Sequence, residues 1–291
     1  MAAEDRYIAK AAGRLDGTDG AEVLEAIDRP ALRLPVRMLD RFLGAFRPGT
    51  MTLLDSAHPY VTEMVGMLCV QAVGELGGEV LYIDGGNSFD PYSLLAHARR
   101  LGVDRDIVLD NIRVARAFTA HQLTSLLHDS LPKALEERAA ANGERPVTVV
   151  VSQIADLYTD RDVGSYEARG MLGLCSKKLV EATVSSLAVT LVSNFGLSKL
   201  GTKGALRRTL YGQVHRVIRI ERTGPFRDRA QRMGPGGLRW HPAPRKPGRD
   251  SGRMVLHLPS EGRSLVYHPV PRDQRTLDDF EPERIADEGG P

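Results

Sequence analysis

The stretch that most constrains the fold runs from Met51 to Asn87. An apolar burst at 51–54 is followed by a short polar loop, a helical segment and a second apolar burst at 80–83 that ends in Asp84. This order of strand, loop, helix and strand is a βαβ unit, a scaffold that often cradles a nucleotide phosphate. The function of the chain therefore depends on whether the loop keeps the chemistry of phosphate binding.

The same alternation continues along the chain. Residues 112–118 read as a strand, and 147–151 form a continuous β-branched run, which is typical of a strand buried on both faces of a parallel sheet. A further buried strand is predicted at 188–192, with helices at 120–141 and 169–182 between the strands. The pattern predicts an α/β fold with a central, mostly parallel sheet flanked by helices.

Composition divides the chain into a core and its appendages. We predict a short N-terminal arm at 1–33, a core at 34–270 and a polar tail at 271–291. Residues 199–253 hold fifteen Lys or Arg against three acids, although the whole chain carries a net charge of only +2. This basic segment, which includes a Gly/Pro/Arg-rich loop at about 222–253, indicates a polyanionic partner, with a solvated loop as the alternative.

No feature of the sequence predicts a membrane or a secretory route. No apolar run approaches the roughly 20 residues that a membrane-spanning helix needs. The N-terminus has no basic region followed by an apolar core. Cys69 and Cys175 both lie in apolar helical contexts, where a free buried thiol is expected rather than a disulfide or a metal ligand. We therefore expect a cytoplasmic protein.

Three motifs resemble a known family. Residues 38–53 look like a family opening in which a short helix leads into the first strand. The segment 80–89, Val-Leu-Tyr-Ile-Asp-Gly-Gly-Asn-Ser-Phe, is similar to a family strand that ends in Tyr-Ile-Asp-Thr-Glu-Asn-Thr-Phe. The most specific match is 110–118, Asp-Asn-Ile-Arg-Val-Ala-Arg-Ala-Phe, followed by His121 and Gln122. Over about 34–222 the chain resembles the core ATPase domain of archaeal RadA and its RecA-type recombinase relatives, which implies a RecA-type fold and a RadA paralogue.

The loop of the βαβ unit lacks the residues of a P-loop. In the pattern Gly-x-x-x-x-Gly-Lys-Ser/Thr, glycines let backbone N–H groups close on the phosphates, Lys neutralises their charge and the hydroxyl binds Mg²⁺. The resemblance puts Pro59 and Val61 on loop glycines, Thr62 on the Lys and Glu63 on the Ser/Thr. Pro59 has no N–H, Val61 resists a positive φ, and Glu63 would repel a triphosphate. The sequence thus predicts a degenerate nucleotide site.

Three further functional positions of the family carry the wrong residue type. The metal-side Asp corresponds to Ser152, the water-activating Glu to Gly86 and the sensor Gln to Phe195. Asp84 is expected to cap a loop, with a catalytic acid as the alternative. We predict no ATP hydrolysis, no metal and no nucleotide cofactor, because the groups that stabilise phosphoryl transfer are lost. Weak nucleotide binding completed by Arg or His of a neighbouring subunit stays open.

DNA contact is the part of the implied function that this chain can keep. Recombinases hold DNA with two loops, which correspond here to about 158–169 and 197–211. The first is nearly balanced in charge, whereas the second is basic and contains glycine, so it is expected to follow the backbone of single-stranded DNA. The residues predicted to bind DNA are Lys199, Lys203, Arg207, Arg208 and, for stacking, Tyr211.

Three functions are compatible with these features. The leading hypothesis is a catalytically degenerate RadA-like protein that binds DNA, a RadA-type recombinase or both, as a monomer or homo-oligomer, and modulates homologous recombination and DNA repair. The second is an ATPase completed in trans by a partner subunit. The third is a RecA-like regulatory assembly protein that does not bind DNA and whose basic loop docks an acidic protein.

Overall fold

A computed structural model describes residues 30–56, 58–142, 145–195, 204–222 and 254–267. The predicted polar tail, nearly all of the predicted N-terminal arm and nearly all of the basic loop at 222–253 lie outside these residues. The strands are β1 Thr50–Ser56, β2 Glu79–Asp84, β3 Ile112–Arg116, β4 Val147–Ser152, β5 Val189–Phe195, β6 Arg216–Arg222, β7 Met254–Leu258 and β8 Arg263–Tyr267. The helices are α1 Arg37–Leu43, α2 Tyr60–Gly74, α3 Pro91–Arg100, α4 Arg105–Asn111, α5 Ala120–Ser125, α6 Leu131–Asn142, α7 Ser165–Ser185 and α8 Gly204–Gln213.

All eight strands belong to one sheet with the order β3-β2-β4-β5-β1-β6-β7-β8. The six neighbouring strands β3-β2-β4-β5-β1-β6 are all paired in parallel. The hairpin of β7 and β8 continues the sheet beyond β6 with antiparallel pairing. The predicted α/β fold with a mostly parallel sheet is therefore confirmed. Because the carboxyl ends of parallel strands meet at one edge, the segments after β1, β2, β4 and β5 lie where ligands bind in folds of this kind.

The core lies in two layers, one on each face of the sheet. Along β4, Val149 and Val151 face one cluster of buried side chains, whereas Val150 faces the other. Helices α1 to α4 contribute to the first cluster, and α5 to α8 contribute to the second. A strand that is buried on both faces is apolar or β-branched at nearly every position, which is why the run from Val149 to Val151 shows no alternation.

Local signals account for several helix boundaries. The carboxylate of Asp90 accepts a hydrogen bond from the N–H of Tyr92 and caps α3, with Pro91 in its first turn. Thr119 caps α5 through the N–H of Gln122. The helix predicted at 120–141 is divided, since a π-helical turn at Leu126–Ser130 separates α5 from α6 just before Pro132. Proline has no N–H to donate, so a break of the regular bond pattern at this place is expected.

Two segments that the sequence suggests are loops are partly helical. Residues 165–169, the end of the predicted first DNA loop, form the first turns of α7. Residues 204–211, more than half of the predicted second loop, belong to α8. The short helix α4 was not predicted, because Val108 is its only buried side chain and no apolar stripe marks it. No helix within the described residues is long and apolar enough to cross a membrane.

Candidate functional site

The turn that follows β1 is closed by its own groups. The N–H of His58 donates to Ser56 Oγ over 2.9 Å, and the N–H of Tyr60 donates to His58 Nδ1 over 3.1 Å. Ser56 Oγ in turn donates to the carbonyl oxygen of His58 over 2.7 Å. A phosphate cradle needs backbone N–H groups that point at the ligand. In this turn two such groups are already bonded within the chain.

The first turn of α2 also lacks backbone N–H groups that could bind a phosphate. Pro59 occupies the N-cap position and has no N–H. The N–H groups of Val61 and Thr62 donate to the carbonyl oxygens of His58 and Pro59 over 3.3 and 3.1 Å. From His58 to Thr62, each backbone N–H is therefore either missing or bonded internally. The turn does not fit a triphosphate.

The side chains beside this turn carry negative charge. Exposed Thr62 and half-buried Glu63 line a shallow, open cleft together with Ser88 and Asp90. Glu63 lies in the first turn of α2, where a carboxylate complements the positive end of the helix dipole. The role that a bound phosphate plays at such a helix end is thus taken by a residue of the chain itself. Two carboxylates at this cleft also repel an anion.

Asp84, at the end of β2, is a fully buried carboxylate with a complete set of donors. Its oxygens accept five hydrogen bonds of 2.9–3.3 Å, from the backbone N–H groups of Gly86, Ser88 and Phe89 and from the hydroxyls of Ser88 and Ser152. Arg116 on β3 adds an ion pair at 3.2 Å. In this arrangement the carboxylate caps the loop of residues 86–89.

These donors also set the ionisation of Asp84. Burial alone would raise the pKa of the carboxyl, but the hydrogen bonds from Ser88, Phe89, Ser152 and Gly86 outweigh burial and lower it below its ordinary value. The resemblance places Ser152 at the position of the family's metal-side Asp, and its hydroxyl donates a hydrogen bond to Asp84. Among the described residues, no group of three or more His, Cys, Asp or Glu side chains could hold a metal ion.

Gly86, at the position of the family's catalytic Glu, has no room for a side chain. A Cβ atom at Gly86 would lie 2.4 Å from both Cβ and Cγ of Gln153. Gln153 itself follows β4 with a φ of 55°, a left-handed conformation that is uncommon outside glycine. The backbone of Gln153 thus holds its side chain over the place where a general base would stand.

The predicted DNA-binding residues are found in two different settings. Arg207 and Tyr211 lie one turn apart on α8 and both contact Asp55 of β1, at 3.2 and 2.6 Å. Arg208, between them in sequence, is exposed. Lys199 and Lys203 lie outside the described residues, as do all of residues 196–203. That these five residues bind DNA stays a prediction.

Two exposed aromatic side chains at the same sheet edge escaped the sequence reasoning. Phe118 follows β3 and is 69% exposed, and Tyr166 begins α7 and is 83% exposed. The guanidinium of Arg169 lies 5.6 Å from the ring centroid of Tyr166. Nε2 of His121 lies 3.8 Å from Oε1 of Glu167, which places the starts of α5 and α7 next to each other. A count of charged residues does not identify these two side chains, because what marks them in the sequence is an aromatic residue near the start of α5 and of α7.

Comparison with known proteins decides the family. The model of a family described as Rad51 matches residues 37–203, more than half of the chain. The chain belongs to the Rad51 family. The match includes β1 to β5 and helices α1 to α7, and therefore covers the predicted degenerate nucleotide site and the first of the two predicted DNA loops.

Individual relatives match this Rad51-family chain over shorter stretches. It is 35% identical over 116 residues to a protein of Mycosarcoma maydis named DNA repair protein RAD51, covering 39% of this chain and 31% of the relative. It is 40% identical over 81 residues to the human meiotic recombination protein DMC1/LIM15 homolog, covering 26% and 24%. The aligned part thus spans less than a third of either relative.

The crowding at Gly86 leads to a first prediction. Gly86→Glu, which restores the side chain of a general base, is expected to lower the free energy of unfolding by about 2 kcal/mol, because the new side chain collides with Gln153. The variant is also expected to show no ATP hydrolysis, since the turn after β1 stays closed. Urea unfolding and phosphate release measure the two effects.

Gly170→Glu is the matched control for this substitution. A Cβ at Gly170 meets nothing within 4 Å, and the residue is exposed within α7. Because glutamate favours a helix over glycine by several tenths of a kcal/mol, this variant should be at least as stable as the wild type. A Gly86→Glu protein as stable as Gly170→Glu would contradict the packing argument.

Proposed function

We propose that this Rad51-family protein binds single-stranded DNA without hydrolysing ATP and modulates homologous recombination and repair together with an active recombinase. The observation that carries the proposal is the closed turn after β1, which removes nucleotide chemistry from a fold that is otherwise intact. What this chain can still offer is the basic segment that follows β5 in the sequence.

Several contacts support the absence of ATP hydrolysis. The N–H groups of His58 and Tyr60 are bonded within the turn, and Glu63 supplies the negative charge at the start of α2. Gln153 fills the space of a general base at Gly86. Phosphoryl transfer depends almost entirely on positioned charges around the phosphates, so the loss of all these groups together supports a chain that does not hydrolyse ATP by itself.

Charge and position support DNA as the partner. The segment 199–253 has a strong excess of basic residues, and α8 presents exposed Arg208 at the carboxyl edge of the sheet. Guanidinium groups contact phosphates without regard to sequence, and exposed aromatic rings such as those of Tyr166 and Phe118 can stack on unpaired bases. The names of the two relatives, a DNA repair protein and a meiotic recombination protein, agree with this role.

A salt titration tests the DNA part. Arg208→Glu is expected to weaken binding of a fluorescent single-stranded oligonucleotide about tenfold at low salt. Arg208→Ala is expected to lower the slope of log affinity against log salt concentration by about 1, because one phosphate contact is lost. Fluorescence anisotropy between about 50 and 200 mM salt measures both effects.

Arg41→Glu provides the matched control for Arg208→Glu. Arg41 is exposed on α1, across the sheet from α8, and the substitution makes the same change of charge. Its DNA affinity should stay within about twofold of the wild type, since distant exposed charges are screened. Equal losses in the two variants would mean that only net charge matters, and absence of wild-type binding at about 50 mM salt would refute the proposal.

Calorimetric titration with ATP and Mg²⁺ tests the nucleotide part. We expect no saturable heat, with or without DNA. Turnover that appears only with a partner subunit and disappears in Glu63→Ala would instead support the ATPase completed in trans. Capture of a protein partner that survives nuclease treatment, together with absence of DNA binding, would support the assembly protein.

A further inference from the structure

Three side chains join the end of β1 to one face of α8. Asp55 is only 3% exposed, and its Oδ2 accepts a hydrogen bond of 2.6 Å from the hydroxyl of Tyr211. The same oxygen lies 3.2 Å from Nε of Arg207. Arg207 closes the triangle, since its Nη2 donates to the hydroxyl of Tyr211 over 2.9 Å and its guanidinium lies 4.9 Å from the centroid of that ring. We call these three residues the Asp55 clamp.

The sequence of α8 explains how the clamp forms. Arg207 and Tyr211 are four residues apart, so they share one face of the helix. Leu206 and Leu210, one position earlier in each turn, are buried in the core against α7. The helix is therefore held by two adjacent stripes, one apolar and one polar. Arg208 lies outside both stripes and is exposed.

The clamp prevents Arg207 from serving as a mobile phosphate contact. A buried carboxylate that loses its cationic partner is strongly destabilised, because its charge is then uncompensated. Transfer of Arg207 from Asp55 to a DNA phosphate would exchange a partly buried ion pair for a solvated one and leave Asp55 with Tyr211 alone. Tyr211 is also engaged, and burial together with its hydrogen bond to Asp55 raises the pKa of its hydroxyl to about 12. Both residues are better suited to hold α8 than to touch DNA.

We infer that Asp55 is a positioning residue for DNA binding: through Arg207 and Tyr211 it fixes α8 so that Arg208 faces the phosphate backbone in the absence of any nucleotide. The inference rests on the proposed DNA-binding function and deepens it. The negative charge that docks α8 at this sheet edge is part of the protein and sits one residue before the closed turn.

The sign of the effect of Asp55→Asn separates this role from a simple charge effect. If Arg207 contacts DNA directly, Asp55→Asn frees its guanidinium and removes a negative charge, so single-stranded DNA should bind more tightly. If Asp55 positions α8, the same variant should bind about tenfold more weakly, because the helix must then be ordered on binding. Asp110→Asn, which removes an exposed charge, is the control and should bind as the wild type does or slightly more tightly.

Tyr211→Phe is the second, milder variant. Phenylalanine stacks on a base or a guanidinium as well as tyrosine does, so a direct stacking role predicts no loss of affinity. The positioning role predicts a loss, because the hydroxyl that bonds to both Asp55 and Arg207 is removed. The double variant Asp55→Asn/Tyr211→Phe should lose no more than Asp55→Asn alone, since both changes break the same unit.

Amide hydrogen exchange measures, in the absence of DNA, how firmly the Asp55 clamp holds α8. In Asp55→Asn and Tyr211→Phe, residues 204–213 should exchange faster than in the wild type, while β2 and β4 keep their protection. Tighter DNA binding by Asp55→Asn, or unchanged exchange in α8, would overturn the inference. If the wild type binds no DNA, the proposed function fails and with it the role in DNA binding, whereas faster exchange confined to α8 would still show that Asp55 fixes this helix.

Discussion

Replacing Asp84 with alanine is expected to lower the free energy of unfolding by about 4 kcal/mol, the largest effect that we predict for one substitution. The carboxylate is fully buried and accepts hydrogen bonds from the loop of residues 86–89 and from Ser152. Without it, three backbone N–H groups and Arg116 lose their acceptor, and the loop between β2 and α3 loses its anchor. Urea unfolding followed by circular dichroism measures the loss.

The effect of Asp84 should depend on pH in one direction. Its pKa is lowered in the folded protein, so its stabilising contribution is complete above the pKa of the unfolded chain, about 3.9, and is lost as pH falls through the folded value. The stability difference between wild type and Asp84→Asn should therefore shrink when the pH is lowered from about 7 to below 4. A constant difference across this range would mean that the carboxylate charge does not carry the effect.

Asp110→Ala is the control for this substitution. Asp110 is an exposed residue of α4, so its removal should change stability by less than about 0.5 kcal/mol. Because the hydrogen bonds of Asp84 are those of a loop cap, Asp84→Asn should retain DNA binding at temperatures where it is folded. Loss of DNA affinity in a folded Asp84→Asn protein would contradict this view.

The central sheet can be predicted from the sequence because its strands carry the strongest local signals. A run such as Val147–Val151 must be buried on both faces, and Asp90 followed by Pro91 marks the start of a helix. The prediction of a degenerate loop also follows from the sequence, since the proline at position 59 has no N–H to donate and the glutamate at position 63 carries a charge that repels phosphate. Each of these inferences needs only residues that are neighbours in the chain.

The contacts that decide the roles of the site residues join distant parts of the chain. Asp55 and Tyr211 are 156 residues apart, and Gly86 meets Gln153 only because β2 and β4 are paired. A basic, glycine-containing segment also reads as a loop, although residues 204–213 are helical because Leu206 and Leu210 pack into the core. Sequence reasoning could therefore name Arg207 and Arg208 together but could not separate them, because burial on one side of a helix depends on what it packs against.

A second large effect is expected at the opposite end of β2. Glu79 is 7% exposed and bonds to Nε of Arg138 over 2.8 Å and to Nη1 of Arg145 over 3.4 Å. Glu79→Ala is expected to lower the free energy of unfolding by about 3 kcal/mol, because it leaves the nearly buried guanidinium of Arg138 without its partner. Arg145 is more exposed and keeps bonds to Gly77 and Asn111, so it contributes less.

The loss of stability at acidic pH should also depend on Glu79. Burial opposes its ionisation, but hydrogen bonding and the charges of Arg138, Arg145 and Arg113 lower its pKa below the ordinary value. Its contribution is therefore present above the pKa of the unfolded chain, about 4.3, and is lost as pH falls through the folded value. Thermal unfolding of wild type and Glu79→Ala at neutral and acidic pH should show the two proteins converging in acid.

A double variant distinguishes a stabilising ion pair from a pair that is only costly to break. Glu79→Leu/Arg138→Met replaces both charges with apolar side chains of similar volume, and such replacements of buried pairs are often close to neutral. We expect the double variant to lose about 1 kcal/mol, less than either single variant, because no charge is then left without its partner. If the losses of the single variants simply add in the double variant, Glu79 and Arg138 are not coupled, and the ion pair does not hold α6 against β2.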